Sequence, residues 1–134
     1  MFDETRVLEI NPDYEELNIK NKTVLGFYEY VKIGDKKVLA RIDSGAVHSS
    51  IDLSFATSLD LGPVIGSKVV RNVHGSNERP IVEMNMILCK RDIKTKFTLQ
   101  SRKTMNFKVL IGQNVLKKGF IIDPNKTILK KVNK

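Results

Sequence analysis

An aspartate, a small hydroxyl residue and a glycine stand together at Asp43-Ser44-Gly45, directly after the run Leu39-Ala40-Arg41-Ile42 and before Ala46. A glycine lets the backbone turn sharply there, and backbone N–H groups and the Ser44 hydroxyl can hold the Asp43 carboxylate in a fixed orientation. Asp, Ser and Gly are also the residues that ordinary turns prefer, so the tripeptide alone leaves a polar turn and a working carboxylate both open. Zinc hydrolysis needs three or four His, Cys or carboxylate ligands with an open position. The soft ligands here are His48, His74 and Cys89, isolated from one another, with no His-Glu-x-x-His and no Cys-x-x-Cys. The expectation is therefore no metal and no other cofactor. A glycine-rich phosphate loop ending in Lys and Ser/Thr is absent as well.

The remaining candidates are single residues. His74 lies in Asn72-Val73-His74-Gly75-Ser76-Asn77, which reads equally as an exposed hairpin loop or as part of a hairpin over a site. Arg79, before Pro80, can bind a substrate carboxylate or carbonyl, or can pair with Glu78 or Glu83. Cys89 fits a small, buried apolar residue better than a nucleophile. As the single cysteine it also points to a reducing compartment.

The elements that must carry these residues read as strands. Residues 24–33 are rich in β-branched and aromatic side chains, Gly34-Asp35 supplies a turn, and residues 38–42 resume the strand pattern. A short strand is expected at 69–73. At 82–88, Val82, Met84, Met86 and Leu88 alternate with Glu83, Asn85 and Ile87. Arg91-Asp92 reads as a turn into a strand at 95–100, with Phe97 and Leu99 on one face, and further strands are expected at 107–111, 120–122 and 127–130. Residues 114–118, bracketed by Gly112 and Gly119, suit a helical turn. A twofold echo links Arg41-Ile42-Asp43-Ser44-Gly45-Ala46 with Val109-Leu110-Ile111-Gly112-Gln113-Asn114. The pattern is that of a small all-β barrel or sandwich with little helix.

Length and charge bound the rest. The 134 residues suit one domain, and 41% apolar with 28% charged residues exclude wholesale disorder. Residues 1–22 hold six acids and three bases and read as an arm or extension. Residues 23–134, the expected barrel domain, hold twenty bases and nine acids. The densest basic stretch includes Lys90, Arg91, Lys94, Lys96, Arg102, Lys103 and Lys108, with Asp92 the single acid. Such a field suits an acidic partner, or is simply a solvated sheet face. Aromatic residues are only 7%, with no run interleaved with bases, which argues against a nucleic-acid stacking surface. No apolar run approaches the ~18 residues of a membrane span, and the first residues lack a basic region followed by an apolar stretch. The expectation is a cytoplasmic protein away from membranes.

Asp43-Ser44-Gly45-Ala46 resembles the active-site motif of the retropepsin-like aspartic peptidases, Asp-Thr/Ser-Gly-Ala at a strand end. Leu110-Ile111-Gly112-Gln113-Asn114-Val115-Leu116 resembles their second pattern, two apolar residues and a glycine before a short helix. A more particular resemblance is to a bacterial family labelled ATP-dependent zinc proteases and found with RimK-type ligases. It covers about residues 24–130 and also rests on Ser49-Ser50, Glu78-Arg79-Pro80-Ile81-Val82 and Phe120-Ile121-Ile122-Asp123-Pro124. The chain departs from it at Val47-His48, where a polar or basic residue and threonine are commoner, and in a shortened stretch between Ser50 and Val69.

The resemblance implies a small closed barrel of the retropepsin-like type with one short helix, and peptide-bond hydrolysis by two carboxylates sharing one proton. Asp43, Ser44 and Gly45 would form the catalytic turn, and Ala46, His74 and Arg79 would contact a protein or peptide substrate. It also implies an ATP-grasp ligase partner, which would supply any ATP chemistry. The zinc label finds no ligand motif. A second Asp-Ser/Thr-Gly motif is absent, so an aspartic mechanism requires a homodimer with Asp43 of each chain facing the other. The competing reading is a non-enzymatic module of the same fold that recruits an acidic peptide or nucleic acid through its basic surface.

Overall fold

The structure, a computed structural model, describes Glu9, residues 20–101 and residues 106–128. The strands are β1 (Thr23–Leu25), β2 (Tyr28–Ile33), β3 (Lys36–Ile42), β4 (Ser49–Asp52), β5 (Val64–Asn72), β6 (Gly75–Leu88), β7 (Arg91–Gln100), β8 (Val109–Ile111) and β9 (Phe120–Ile122). Two short helices, α1 (Leu53–Ser58) and α2 (Gln113–Leu116), lie between β4 and β5 and between β8 and β9. The sheet order is β2-β3-β8-β4-β7-β6-β5, and β2 also pairs with β6. The pairing of β2 with β6 closes a six-stranded barrel, and β5 hangs outside it as the outer arm of a hairpin. The protein is thus a small all-β closed barrel.

Alternation explains the closure. On β2 the burial pattern is strictly exposed-buried over Tyr28–Ile33, and on β6 Val82, Met84, Met86 and Leu88 point inward while Glu83, Asn85 and Ile87 point out. A period of two puts one face of each strand toward a common core, here Val31, Ile33, Met86, Leu88, Phe97 and Ile111 among others.

The expected strand at 24–33 is divided. Residue 26 must be glycine, because a Cβ there would strike the backbone carbonyl oxygen of Lys126. Before this break β1 leaves the barrel and pairs with β9 in parallel. The carboxylate of Glu29, almost wholly buried, accepts from Gly26 N–H at 2.7 Å and from Lys126 Nζ at 2.9 Å, and Cys89 Sγ lies 3.6 Å from its other oxygen. This cluster ties the end of the described chain to β2.

Other boundaries shift for physical reasons. The β6–β7 turn falls at Cys89 and Lys90, both at positive φ, and not at Arg91-Asp92. Two residues at positive φ make the tight turn that matches strand twist, but cysteine and lysine are not the residues that advertise it. The strand expected at 69–73 extends over all of β5, and the last strand before the second helix begins at Val109 and not at 107. Residues 127–128 are not in a strand, and 129–130 lie outside the described residues, as does nearly all of the expected arm at 1–22. The helical turn after Gly112 is α2. Helix α1, with Phe55 N–H donating to Asp52 Oδ2 at 3.0 Å, adds a second short helix. Among the described residues no helix is long and apolar enough to cross a membrane.

Candidate active site

The two segments of the twofold echo are neighbours in space. Strands β3 and β8 run parallel, with Ala40, Arg41 and Ile42 opposite Val109, Leu110 and Ile111. Beyond the ladder each chain turns and binds the other: Asp43 N–H donates to Ile111 O at 2.9 Å, Gln113 N–H to Ala46 O at 2.7 Å, and Gln113 Nε2 to Ser44 O at 2.9 Å. Gly112 permits the approach, since a Cβ there would sit 2.7 Å from Ala46 O and 2.8 Å from His48 C and O. These are all backbone atoms, with no side chain free to move aside.

A second set of bonds braces the turn from below. The Ser49 hydroxyl, fully buried, donates to Asn114 Oδ1 at 2.7 Å and accepts from Gly112 N–H at 2.9 Å. Ser49 N–H also donates to Asn114 Oδ1, while Asn114 Nδ2 donates to Lys96 O at 2.8 Å. Such a network fixes the turn because every buried polar group in it is satisfied in only one arrangement. The Asp43 carboxylate, half-buried, accepts from Gly45 N–H at 3.0 Å. Asp123, the aspartate after β9, instead accepts from Asn125 N–H at 2.9 Å and shapes a turn.

Hollows flank the Asp43 turn. Asp43 and Ser44 line one of about 270 Å³ with Phe27, Tyr28 and Arg41. Gly45 and Ala46 line a larger one of about 510 Å³, with His48, Lys68, Val70, Arg71 and Arg79 around it. A third, of about 460 Å³, shares His48, Lys68 and Thr98 with the second and adds Glu83, Lys94, Lys96 and Lys118. The basic stretch on β7 therefore serves as the wall of a cavity beside the turn, with Lys94 3.5 Å from Glu83; Arg102 and Lys103 are outside the described residues.

Of the sequence candidates, Asp43, Ser44, Gly45 and Ala46 form the turn itself and Arg79 lines the cavity beside it. His74 is at the exposed tip between β5 and β6 and lines neither large cavity. Sequence reasoning missed Lys68 and Arg71, and did not assign the bracing role of Ser49 and Asn114. The signal for the brace was the echo between the two strand-and-glycine segments; Lys68 and Arg71 reach the site only because β5 folds back along β6. Among the described residues no three His, Cys, Asp or Glu side chains gather as a metal-binding group. His48, His74 and Cys89 are not brought together as a zinc site.

The closed barrel with its paired strand-end turns has the retropepsin-like fold. A crystal structure of a Legionella pneumophila protein described as of unknown function matches with a TM-score of 0.56 at 18% identity, covering 78% of this chain and 95% of that one. The solution structure of the simian foamy virus (mac) protease matches with a TM-score of 0.54 at 14% identity, covering 67% and 91%. A foamy viral protease-reverse transcriptase bound to an RNA/DNA hybrid gives a TM-score of 0.55 at 14% identity, over 68% of this chain and 11% of that one. Among curated proteins no sequence matches the chain. The RimB-like family model, described as retropepsin-like aspartic endopeptidase RimB, matches residues 56–133, more than half of the chain. The chain belongs to this family of aspartic endopeptidases. The matched span begins after the Asp43 turn, so the assignment of that turn rests on its own geometry.

Proposed function

We propose that the chain is an aspartic endopeptidase that works as a twofold homodimer, with Asp43 of each protomer forming the catalytic pair. The observation that carries this reading is the pinned turn: a carboxylate at a strand end, held by Gly45 N–H and locked through Gln113 and Gly112 to the second strand end. That second strand end, Ile111-Gly112-Gln113-Asn114, carries no acid, so one chain supplies one carboxylate. A partner copy is the natural source of the other. In the pair one carboxylate takes a proton from the attacking water while its protonated mate polarises the scissile carbonyl.

The substrate that suits the cleft is a peptide with acidic side chains. Lys68, Arg71 and Arg79 line the 510 Å³ cavity, and among the described residues no carboxylate does. The peptide would lie between the Asp43 turn and the β5–β6 hairpin in a cytoplasmic setting. An ATP-grasp ligase partner is an implication of the family resemblance alone.

The test combines sedimentation of the wild-type chain across a concentration series with peptidase assays on Asp43→Ala. Self-association together with loss of cleavage in a folded Asp43→Ala protein supports the reading. A strictly monomeric protein, or cleavage that survives the substitution, overturns it. Retained binding of an acidic peptide without any cleavage by the wild type would leave the binding-module reading in its place.

A further inference from the structure

The two large cavities beside the Asp43 turn meet over two residues of the barrel floor, His48 and the buried Thr98. His48, half-buried, lines both, and so does Lys68 from the overhanging hairpin. The backbone of His48 cannot drift, because its carbonyl packs on Gly112 and its neighbours are tied on both sides: Val47 O accepts from Asn114 N–H, and Ser49 N–H donates to Asn114 Oδ1. The imidazole is therefore presented from a fixed floor into the place where the cavities join.

The hairpin opposite carries a residue pair that by itself opposes folding. Lys68 on β5 and Arg79 on β6 are direct cross-strand partners, so both cations stand on the same face. Like charges directly opposite destabilise a strand pair. Arg71 adds a third cation to the cavity wall. An anion between the hairpin and the floor relieves that repulsion, and of the two floor residues that line both cavities, His48 and Thr98, His48 is the ionisable one.

Resting on the assignment of Asp43 as the catalytic carboxylate, we propose that His48 is a specificity-determining residue that contacts the substrate side chain bound beside the Asp43 turn and, when protonated, joins Lys68 in favouring a carboxylate there. This property belongs to the chain's own departure from the motif at Val47-His48. Burial, and after it the charge of Lys68, hold the His48 pKa below the ordinary histidine value. The other charged groups lining the cavities that His48 shares are Arg71 from β5, Arg79 and Glu83 from β6, Lys94 and Lys96 from β7, and Lys118 after α2. Burial and the charge of Lys68 thus favour the neutral imidazole, and among the described residues the two cavities are lined by six cations and one acid, Glu83. Protonation on mild acidification adds a charge to the subsite while a substrate glutamate, with its pKa of about 4.3, is still ionised. A bound carboxylate also opposes the depression of the histidine pKa, so ligand and proton bind together.

The experiment measures binding and keeps cleavage out of the readout. Full-length Asp43→Asn protein is titrated with a labelled octapeptide of alternating alanine and glutamate, and with the same peptide carrying glutamine at every glutamate position. The expected result is a glutamate-over-glutamine preference that grows about fivefold to tenfold between about pH 7.5 and about pH 5.5. In the Asp43→Asn, His48→Gln double variant the preference is expected to be flat over that range. Nuclear magnetic resonance of the His48 ring in the Asp43→Asn protein needs no further substitution, and there the acidic peptide should raise the imidazole titration midpoint. A preference that does not change with pH, one that changes equally without His48, or failure of both peptides to bind overturns the proposal. The peptidase assay on Asp43→Ala is separate: surviving cleavage there removes the catalytic reading of Asp43, whereas a pH-flat preference removes only the role of His48.

Discussion

Strand β6 belongs to two regions of the molecule that are built on different principles. From Ile81 to Leu88 it has neighbours in the barrel, pairs with β7 throughout, and buries every second side chain. From Gly75 to Pro80 its ladder partner is β5, and its residues are exposed or half-buried. On the outer arm Val64, Ile65 and Val69 are exposed as well. A two-stranded ribbon without a packed face is held by ladder hydrogen bonds and little else, whereas the floor beneath it is held by close packing and satisfied buried polar groups. The floor is thus suited to hold the Asp43 turn in one geometry, and the hairpin to admit and cover a ligand. The difference teaches that rigidity here follows side-chain burial, not strand length, since β6 is the longest strand and half of it stands outside the core.

Substitutions can break or sharpen that contrast. The largest expected effect is on chemistry: Asp43→Ala should lower peptidase activity at least about a thousandfold while leaving the thermal midpoint near that of wild type, because the carboxylate is only half-buried and its hydrogen bond with Gly45 N–H is local to the turn. Parallel activity and unfolding measurements check this, and a fall in both together would make Asp43 a structural residue.

Gly112→Ala comes next. The added methyl meets backbone atoms at 2.7–2.8 Å, so the Asp43 turn or α2 must shift. The expected cost is about 1–3 kcal/mol in denaturant unfolding, accompanied by loss of activity. A change confined to stability would separate the position of the floor from the chemistry.

The Glu29–Lys126 clasp is a further test of the barrel side. Burial pushes the Lys126 pKa down, but the hydrogen bond and charge of Glu29 and contact with Cys89 outweigh it and raise the pKa above the ordinary lysine value. Burial, and then the charge of Glu29, raise the Cys89 thiol pKa as well. Both groups bind protons more tightly in the folded state. Their contribution is therefore complete below their unfolded-state pKa values and is lost as pH rises through the folded ones. Stability should fall across the alkaline range, and fall less steeply in Lys126→Met. That variant should also lose about 1–3 kcal/mol near neutrality, because Glu29 is left buried with its charge uncompensated. Unfolding curves from neutral to alkaline pH decide both points.

The smallest effect is expected on the hairpin. Arg79→Gln relieves the cross-strand repulsion with Lys68 and should change stability by less than about 1 kcal/mol, in the stabilising direction. It should nonetheless weaken binding of the acidic octapeptide and flatten its salt dependence. If it destabilises the protein as Gly112→Ala does, the two regions are not distinct.

Much of the barrel could be read directly from residue order. The alternation of Val82, Met84, Met86 and Leu88 fixes an inward face because strand side chains repeat with a period of two, and the Asp43 and Gly112 segments advertise the site through their matching strand-and-glycine patterns. What chain order could not show arises from contacts between distant segments. Gly26 divides a continuous β-rich run because the Lys126 carbonyl oxygen, one hundred residues away in sequence, occupies the space a side chain would need. The β6–β7 turn falls on Cys89 and Lys90 because the register of two strands demands it, against the preferences of both residues. Lys68 and Arg71 join the site only through the fold-back of β5, and His74 is carried to the hairpin tip by the same geometry. Local pattern specifies which face of a strand is buried, since periodicity is a local property. Which distant groups then meet at the Asp43 turn is decided by strand pairing between distant segments, because the β3–β8 ladder joins the two strand ends and the β5–β6 ladder folds the basic hairpin back beside them.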